Sequence, residues 1–327
     1  MDEKIQPFLI MIDYISPKTQ QPLSANGKAL TTTNGETFPV VNNIPRFVDS
    51  DNYAQAFGYQ WNIHVNTQLD SYTGHPISKD RLERCLGYNV EQLKGKNVLE
   101  AGSGAGRFTE HLVKSGALVH SFDLSNAVEA NAKNIGDAAN YRIAQASIYD
   151  IPYPDEQFDV VICLGVLQHT PDPDKSIECL YRKVKPGGQL VIDHYSYSLA
   201  RFTKASTLIR YILKEMPKEK SKKITNNLVN FFFPLHWTCR KFYPAQAVLS
   251  RISPCLFYYK DFPFLTKEQH FDLTQLDTYD HLTDYYKHLR TQGQLRSLLE
   301  KLGAVSIETF RGGIGVEARC LKPTKTN

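Results

Sequence analysis

The chain has 327 residues, of which 42% are hydrophobic and 22% charged, with a formal net charge of +4. That length supports a domain of ordinary size with additions, and the composition fits a soluble globular enzyme rather than a disordered, collagenous or disulfide-rich chain. No stretch reaches about 18 consecutive apolar residues, so no spanning helix is expected, and so mild a positive charge selects no partner by itself.

The six cysteines, at 85, 163, 179, 239, 255 and 320, include no Cys-x-x-Cys pair. That spacing argues against a zinc site and against a disulfide framework, so no metal is expected. Cys163 and Cys179 fall on apolar faces and read as buried free thiols. The apolar run Phe8 to Ile12 is too short and wrongly flanked for a signal peptide, and the expected location is cytoplasmic.

Residues 1–50 read as short strands and turns, punctuated by prolines, with hairpin signals at Asn26-Gly27 and Asn34-Gly35. They are expected to form a small β-rich module. Residues 51–96 read as a helical connector dense in aromatics and amides, from Phe57 through Trp61 to Asp70.

A regular βα alternation fills residues 97–195. Val98 and Leu99 belong to a short strand, which Glu100 follows before Gly102, Gly104 and Gly106. A helix pattern opens at once, with Phe108 and Leu112 four apart and Gly116 as a stop. Glycine permits positive φ and lets a ligand approach bare backbone, so strand, turn and helix together form a cradle for a phosphate or nucleoside. The dinucleotide fingerprint places its last glycine one residue later, where this chain has Arg107. The next strand, Ala117 to Phe122, closes on Asp123, about where a ribose diol is held in nucleotide-binding folds. A helix over 127–134, a strand over 141–145 and a buried strand over 158–164 follow. Then come a helix over 172–184, a turn at Lys185-Pro-Gly-Gly188 and a strand over 189–194.

Residues 196–280 break this pattern. Leu208, Ile209, Ile212 and Leu213 lie at helical spacing among many lysines, arginines and aromatics. The segment is expected to be a helical cap, broken by prolines into short packed helices, that roofs the site. Residues 281–327 return to the core with a helix over 292–302 and closing strands over 305–310 and 316–321. Asp277 to His281, just before, is polar and aromatic enough to project into the pocket.

The run Glu-x-Gly-x-Gly-x-Gly from Glu100 to Gly106 resembles the first motif of the class I S-adenosylmethionine (SAM) methyltransferases. Gly165-Val-Leu-Gln-His169 and Lys185-Pro-Gly-Gly188 resemble later motifs of that family in the same order. The resemblance implies an α/β fold, with a Rossmann-like seven-stranded methyltransferase sheet carrying the small N-terminal β module and the helical cap. It implies SAM as cofactor, bound by Glu100, Gly102, Gly104, Gly106, Asp123, Leu124, Ser147, Ile148 and Leu164. Ser147 stands where the family usually has an acid for the adenine amino group, and Ile148 would lie against the ring. Phe38 to Val48 resembles the end of a zinc-ribbon-like module, here without metal ligands. The segment around Tyr59, Gln60 and Trp61 resembles one that folds over the cofactor pocket.

Methyl transfer from a sulfonium needs no acid for its leaving group, so alignment supplies most of the catalysis. A base is needed only if the acceptor must lose a proton, and His169 and His194, each just past a strand end, are the candidates. Tyr195, Asp280 and His281 are weaker candidates for shaping the substrate. Three readings stand. The first is a methyltransferase acting on an O or N of a small molecule under the cap. The second acts on a lipid surface or nucleic acid through the basic cap. The third is a SAM-fold protein that binds without catalysis, and the intact acids and glycines argue against it.

Overall fold

The computed structural model describes residues 11–49, 58, 60–61, 63–197 and 204–324. Tyr59, most of the Phe8–Ile12 run and residues 198–203 lie outside that set.

Four short strands come first: β1 (Ser24–Asn26), β2 (Ala29–Thr31), β3 (Thr37–Val41) and β4 (Ile44–Pro45), forming an antiparallel sheet in that order. The first hairpin turns through Gly27 at φ 61°, the left-handed backbone that a tight turn demands.

The main sheet has seven strands: β5 (Asn97–Ala101), β6 (Leu118–Asp123), β7 (Tyr141–Gln145), β8 (Phe158–Cys163), β9 (Val184–Tyr195), β10 (Val305–Gly312) and β11 (Gly315–Leu321). Their order is β7-β6-β5-β8-β9-β11-β10, and β11 alone runs against the others. The small sheet docks on the open edge of β7. Phe47 N–H donates to Gln145 O at 2.8 Å, and Tyr14 O–H donates to Ile143 O at 3.1 Å. Covering that edge removes a row of unpaired backbone groups.

Successive side chains along the central strands alternate between two cores. Leu99, Val161 and Cys163 bury on one face, and Val98, Val160 and Ile162 on the other. This is why these strands read as near-continuous apolar runs. The helices α1 (Asp70–Thr73), α2 (Ile77–Leu86), α3 (Thr109–Lys114), α4 (Ala127–Ile135) and α5 (Pro173–Lys183) connect and flank them. Asp172 caps α5 by accepting from the N–H groups of Asp174 and Lys175. The Lys185-Pro-Gly-Gly188 turn expected before β9 is absorbed into the strand. Gly187 takes φ 78°, and the pairing with β8 slips by a bulge between Phe158 and Val160.

Between β9 and β10 the chain forms α6 (Ala205–Leu213), α7 (Lys218–Thr238), α8 (Tyr243–Ile252) and α9 (Lys267–Thr283), and then α10 (Gln292–Lys301) returns to the core. The expectation that prolines cut this segment into short helices fails at α7, which runs 21 residues with Pro234 inside it. A mid-helix proline costs about 3 kcal/mol. Val229 and Phe233, buried in a cluster with Cys255 and against Phe271 of α9, hold the helix together across it.

Candidate active site

The sheet changes its winding direction at β5, with β6 and β7 to one side and β8 and β9 to the other. Ligands bind at the strand carboxyl ends beside such a point. A cavity of about 270 Å³ opens there. Its floor is the turn after β5 and the end of β6. Gly102 takes φ 72°, and a Cβ there would come within 2.3 Å of Val166 Cγ2. Gly104 N–H donates to Asp123 Oδ2 at 2.9 Å. The N–H and hydroxyl of Ser125 donate to Asp123 Oδ1 at 2.8 and 2.7 Å. Burial pushes the Asp123 pKa up, and these three donors oppose it while aiming the carboxylate.

The opposite wall comes from distant segments. Leu256, Tyr258 and, on α9, Asp277, Asp280 and His281 face the glycine turn. Gln60 ties this wall to the core, its Nε2 donating to Leu276 O at 2.8 Å. Burial lifts the Asp277 carboxyl to about 6 despite Arg107 nearby, and Gln68 Nε2 donates to it at 3.3 Å. Burial and then the charges of Asp284 and Asp277 lift Asp280 to about 8, and its Oδ1 has no partner among the described residues. Arg107 donates to Gln68 Oε1 at 2.9 Å and to Ser78 Oγ at 3.2 Å. Burial and the nearby Arg81 lower its pKa to about 10.

The third wall is the segment after β8. Gln168 is fully buried, and neither atom of its side-chain amide has a partner among the described residues. Such a group is costly unless something completes its hydrogen bonds. His169 lies edge-on to Tyr195, with Nδ1 3.2 Å from Tyr286 O and 3.5 Å from Asp284 Oδ2. Burial pushes its pKa down to about 4, so the ring is neutral at pH 7. Burial alone would raise Asp284, but Lys287, His169 and Arg210 together hold it below the usual carboxylate value.

A cavity built of a bare glycine turn, an aimed strand-end acid and unsatisfied polar groups has the makings of a ligand-binding site. Residues 99–192 match the family described as "Methyltransferase domain". This stretch is a methyltransferase domain. It is 38% identical over 132 residues to the ubiquinone biosynthesis O-methyltransferase of Pseudomonas entomophila (strain L48), a stretch that covers 38% of this chain and 56% of that protein. The corresponding enzyme of Pseudomonas fluorescens (strain SBW25) is 36% identical over the same length, with the same coverage. The chain thus spans just over half the length of the curated relatives it matches. Among solved structures, magnesium protoporphyrin IX methyltransferase from Synechocystis PCC 6803 with bound SAM aligns with a TM-score of 0.43 at 13% identity, covering 83% of this chain and 93% of that one.

Within the methyltransferase domain, Gly102, Gly104, Asp123, Leu124, Ile148, Leu164 and His169 all line the cavity, as do Tyr195, Asp280 and His281. Four expected site residues stand off its wall. Glu100 points beneath the turn, where Thr109 and Ser121 hydroxyls each donate to it at 2.7 Å, and burial lifts its pKa to about 7. Gly106 faces Asn131. The Ser147 hydroxyl accepts from Tyr149 N–H at 3.1 Å. His194 is fully buried within β9 opposite Val316 of β11, its pKa lowered to about 4 by burial. Trp61 lines the cavity beside Gly104 and Gln60 braces it, whereas Tyr59 lies outside the described residues. Arg107, Gln168 and Tyr258 also line the cavity, beyond the residues expected from the sequence. Gln168 lies inside the Gly165–His169 motif and Arg107 directly follows the glycine run, whereas nothing local marks Tyr258.

Proposed function

We propose that this chain is a methyltransferase that moves a methyl group from SAM to a hydroxyl oxygen of a small molecule held beneath α9. One observation carries the reading. The glycine turn and Asp123 face a separate polar wall, Gln168, His169, Asp277 and Asp280, across one cavity. That is an arrangement for two ligands side by side. The bare backbone at Gly102 and Gly104 and the aimed carboxylate of Asp123 fit a nucleoside. SAM supplies an electrophilic methyl on a positively charged sulfur.

The chain's own groups would then do the aligning. Asp123 holds the ribose hydroxyls, with Ile148 against the base. Gln168 and Asp280 take the acceptor's hydrogen bonds. Tyr286 O, facing His169 Nδ1 at 3.2 Å, favours the tautomer whose Nε2 keeps a lone pair. With a pKa near 4, that imidazole steers a hydroxyl by accepting a hydrogen bond and is a weak base. The printed names of the curated relatives, O-methyltransferases, support oxygen over nitrogen as the acceptor. A cytoplasmic setting belongs to the same proposal.

The test is isothermal titration of SAM and NAD, with Asp123→Ala as the variant. Loss of hydrogen bonds to a charged acceptor should weaken SAM binding by about 1.5–3 kcal/mol, and NAD should not bind. An unchanged SAM affinity in Asp123→Ala overturns the assignment. Mass spectrometry of the product from methyl-labelled SAM and a panel of hydroxyl- and amine-bearing acceptors decides the atom.

A further inference from the structure

The inserted helices have an inner and an outer side, and only the inner side serves the cavity. Leu256, Tyr258 and the α9 acids face inward. Arg210 turns inward to pair with Asp284, and Lys222 is buried beside His64. The outer side is different. Leu208, Tyr211 and Ile212 of α6, at i, i+3 and i+4, are 60–74% exposed. Tyr243, Val248 and Ile252 of α8 are 60–63% exposed, and α8 has no buried residue at all. The two helices touch, so these side chains belong to neighbouring faces. Six large apolar groups held in water on two adjoining helices mark an interaction surface.

Charge identifies what covers it. Leaving out the inward Arg210 and Lys222, residues 204–264 contain nine Lys and Arg against Glu215, Glu219 and Asp261, a net of +6. The whole chain is only +4, so the remainder is net negative and the molecule is electrically polar. Lys241, two residues before α8, Arg251 on α8, and Lys260, whose Nζ lies 5.9 Å from the Tyr243 ring, are exposed beside this face. Apolar side chains flanked by cations are what an anionic lipid interface binds: the former enter the acyl boundary, and the latter meet the headgroups. No helix among the described residues is long and apolar enough to cross a membrane, so the contact is lateral.

We propose that the outer face of α6 and α8, with Lys241, Arg251 and Lys260 beside it, docks the protein on an anionic membrane surface. The inference goes beyond the methyl-transfer reading and does not depend on it.

The experiment is flotation of the full chain with phosphatidylcholine vesicles, either pure or containing about one third phosphatidylglycerol, at low salt and at ~0.5 M NaCl. The wild type should float with the anionic vesicles at low salt and less at high salt. Lys241→Gln, Arg251→Gln and Lys260→Gln combined should lower the partition coefficient by about a hundredfold or more. Leu208→Ser, Ile212→Ser, Val248→Ser and Ile252→Ser combined should lower it by about tenfold or more. Retained SAM binding in both variants shows that they fold. Failure of the wild type to float, or flotation unchanged by both variants, overturns the proposal. So does concentration-dependent dimerisation lost in the serine variant, or RNA binding in preference to vesicles lost in the glutamine variant.

Discussion

At the scale of single residues, burial sets the chemistry more than sequence position does. His169 and His194 look equivalent in the chain, each shortly past an apolar strand run. In the fold, one lines the cavity and the other is buried on β9, paired with Val316 of β11. A third, His120, lies on β6 with neither ring nitrogen partnered among the described residues, edge-on to Tyr153 and Phe158. Burial pushes its pKa down to about 3 from 6.5. The folded state therefore binds the proton more weakly than the unfolded chain, so this histidine's contribution to stability is complete above pH 6.5. It is lost progressively as pH falls from there toward 3. His120→Leu removes the titration, so the variant should lose less stability than the wild type between pH 7 and pH 5. Urea unfolding at the two pH values checks this, and parallel losses in the two proteins would show that His120 is not the group involved.

At the scale of elements, the turn after β5 does two things at once. It carries the chain from strand to helix, and it leaves bare backbone under the ligand. Gly102 is constrained twice, by φ 72° and by Val166 pressing on the place of a Cβ. Gly303, at φ 79°, has nothing within 4 Å of that place. Gly303→Ala should cost about 1–2 kcal/mol for the left-handed backbone alone. Gly102→Ala should cost more, about 2–4 kcal/mol with the added crowding, and should also weaken SAM binding. Chemical denaturation and titration of both variants separate strain from contact. Equal stability losses with unchanged SAM affinity would remove Gly102 from the site.

At the scale of the whole molecule, the cavity exists because a segment more than 150 residues beyond the glycine turn folds back over it. The tie from Gln60 to Leu276 and the ion pairs of Asp284 hold that wall in place. A ligand that bridges floor and wall binds only the folded state and should stabilise the whole. SAM at about a hundredfold its dissociation constant should add about 2.7 kcal/mol, seen as a raised thermal midpoint, while NAD at the same concentration should leave it unchanged. An equal shift with NAD would point to a dinucleotide site instead.

The order of the sheet's strands and helices was legible because local physics writes it. Both-face burial demands apolar runs in β5 and β8, the glycine turn demands positive φ, and Asp172 caps α5. The same local signals exposed the floor of the site: Gly102, Gly104, Asp123 and the cavity-lining Ile148. What the chain could not show by itself was which polar groups share a cavity. Arg107, Gln168 and Tyr258 come from three separate segments, and no spacing relates them. The orientations of Glu100, Ser147 and His194 were equally hidden, since a nearby hydroxyl, a local N–H and a paired strand decided them. The length of α7 through Pro234 was settled by Val229 and Phe233 packing near α9, against local propensity. Local sequence therefore determined the elements and the glycine turn that floors the cavity. Only the tertiary structure decided the second wall and the split of the inserted helices into an inner polar side and an outer apolar one, because both depend on burial among residues distant in the chain.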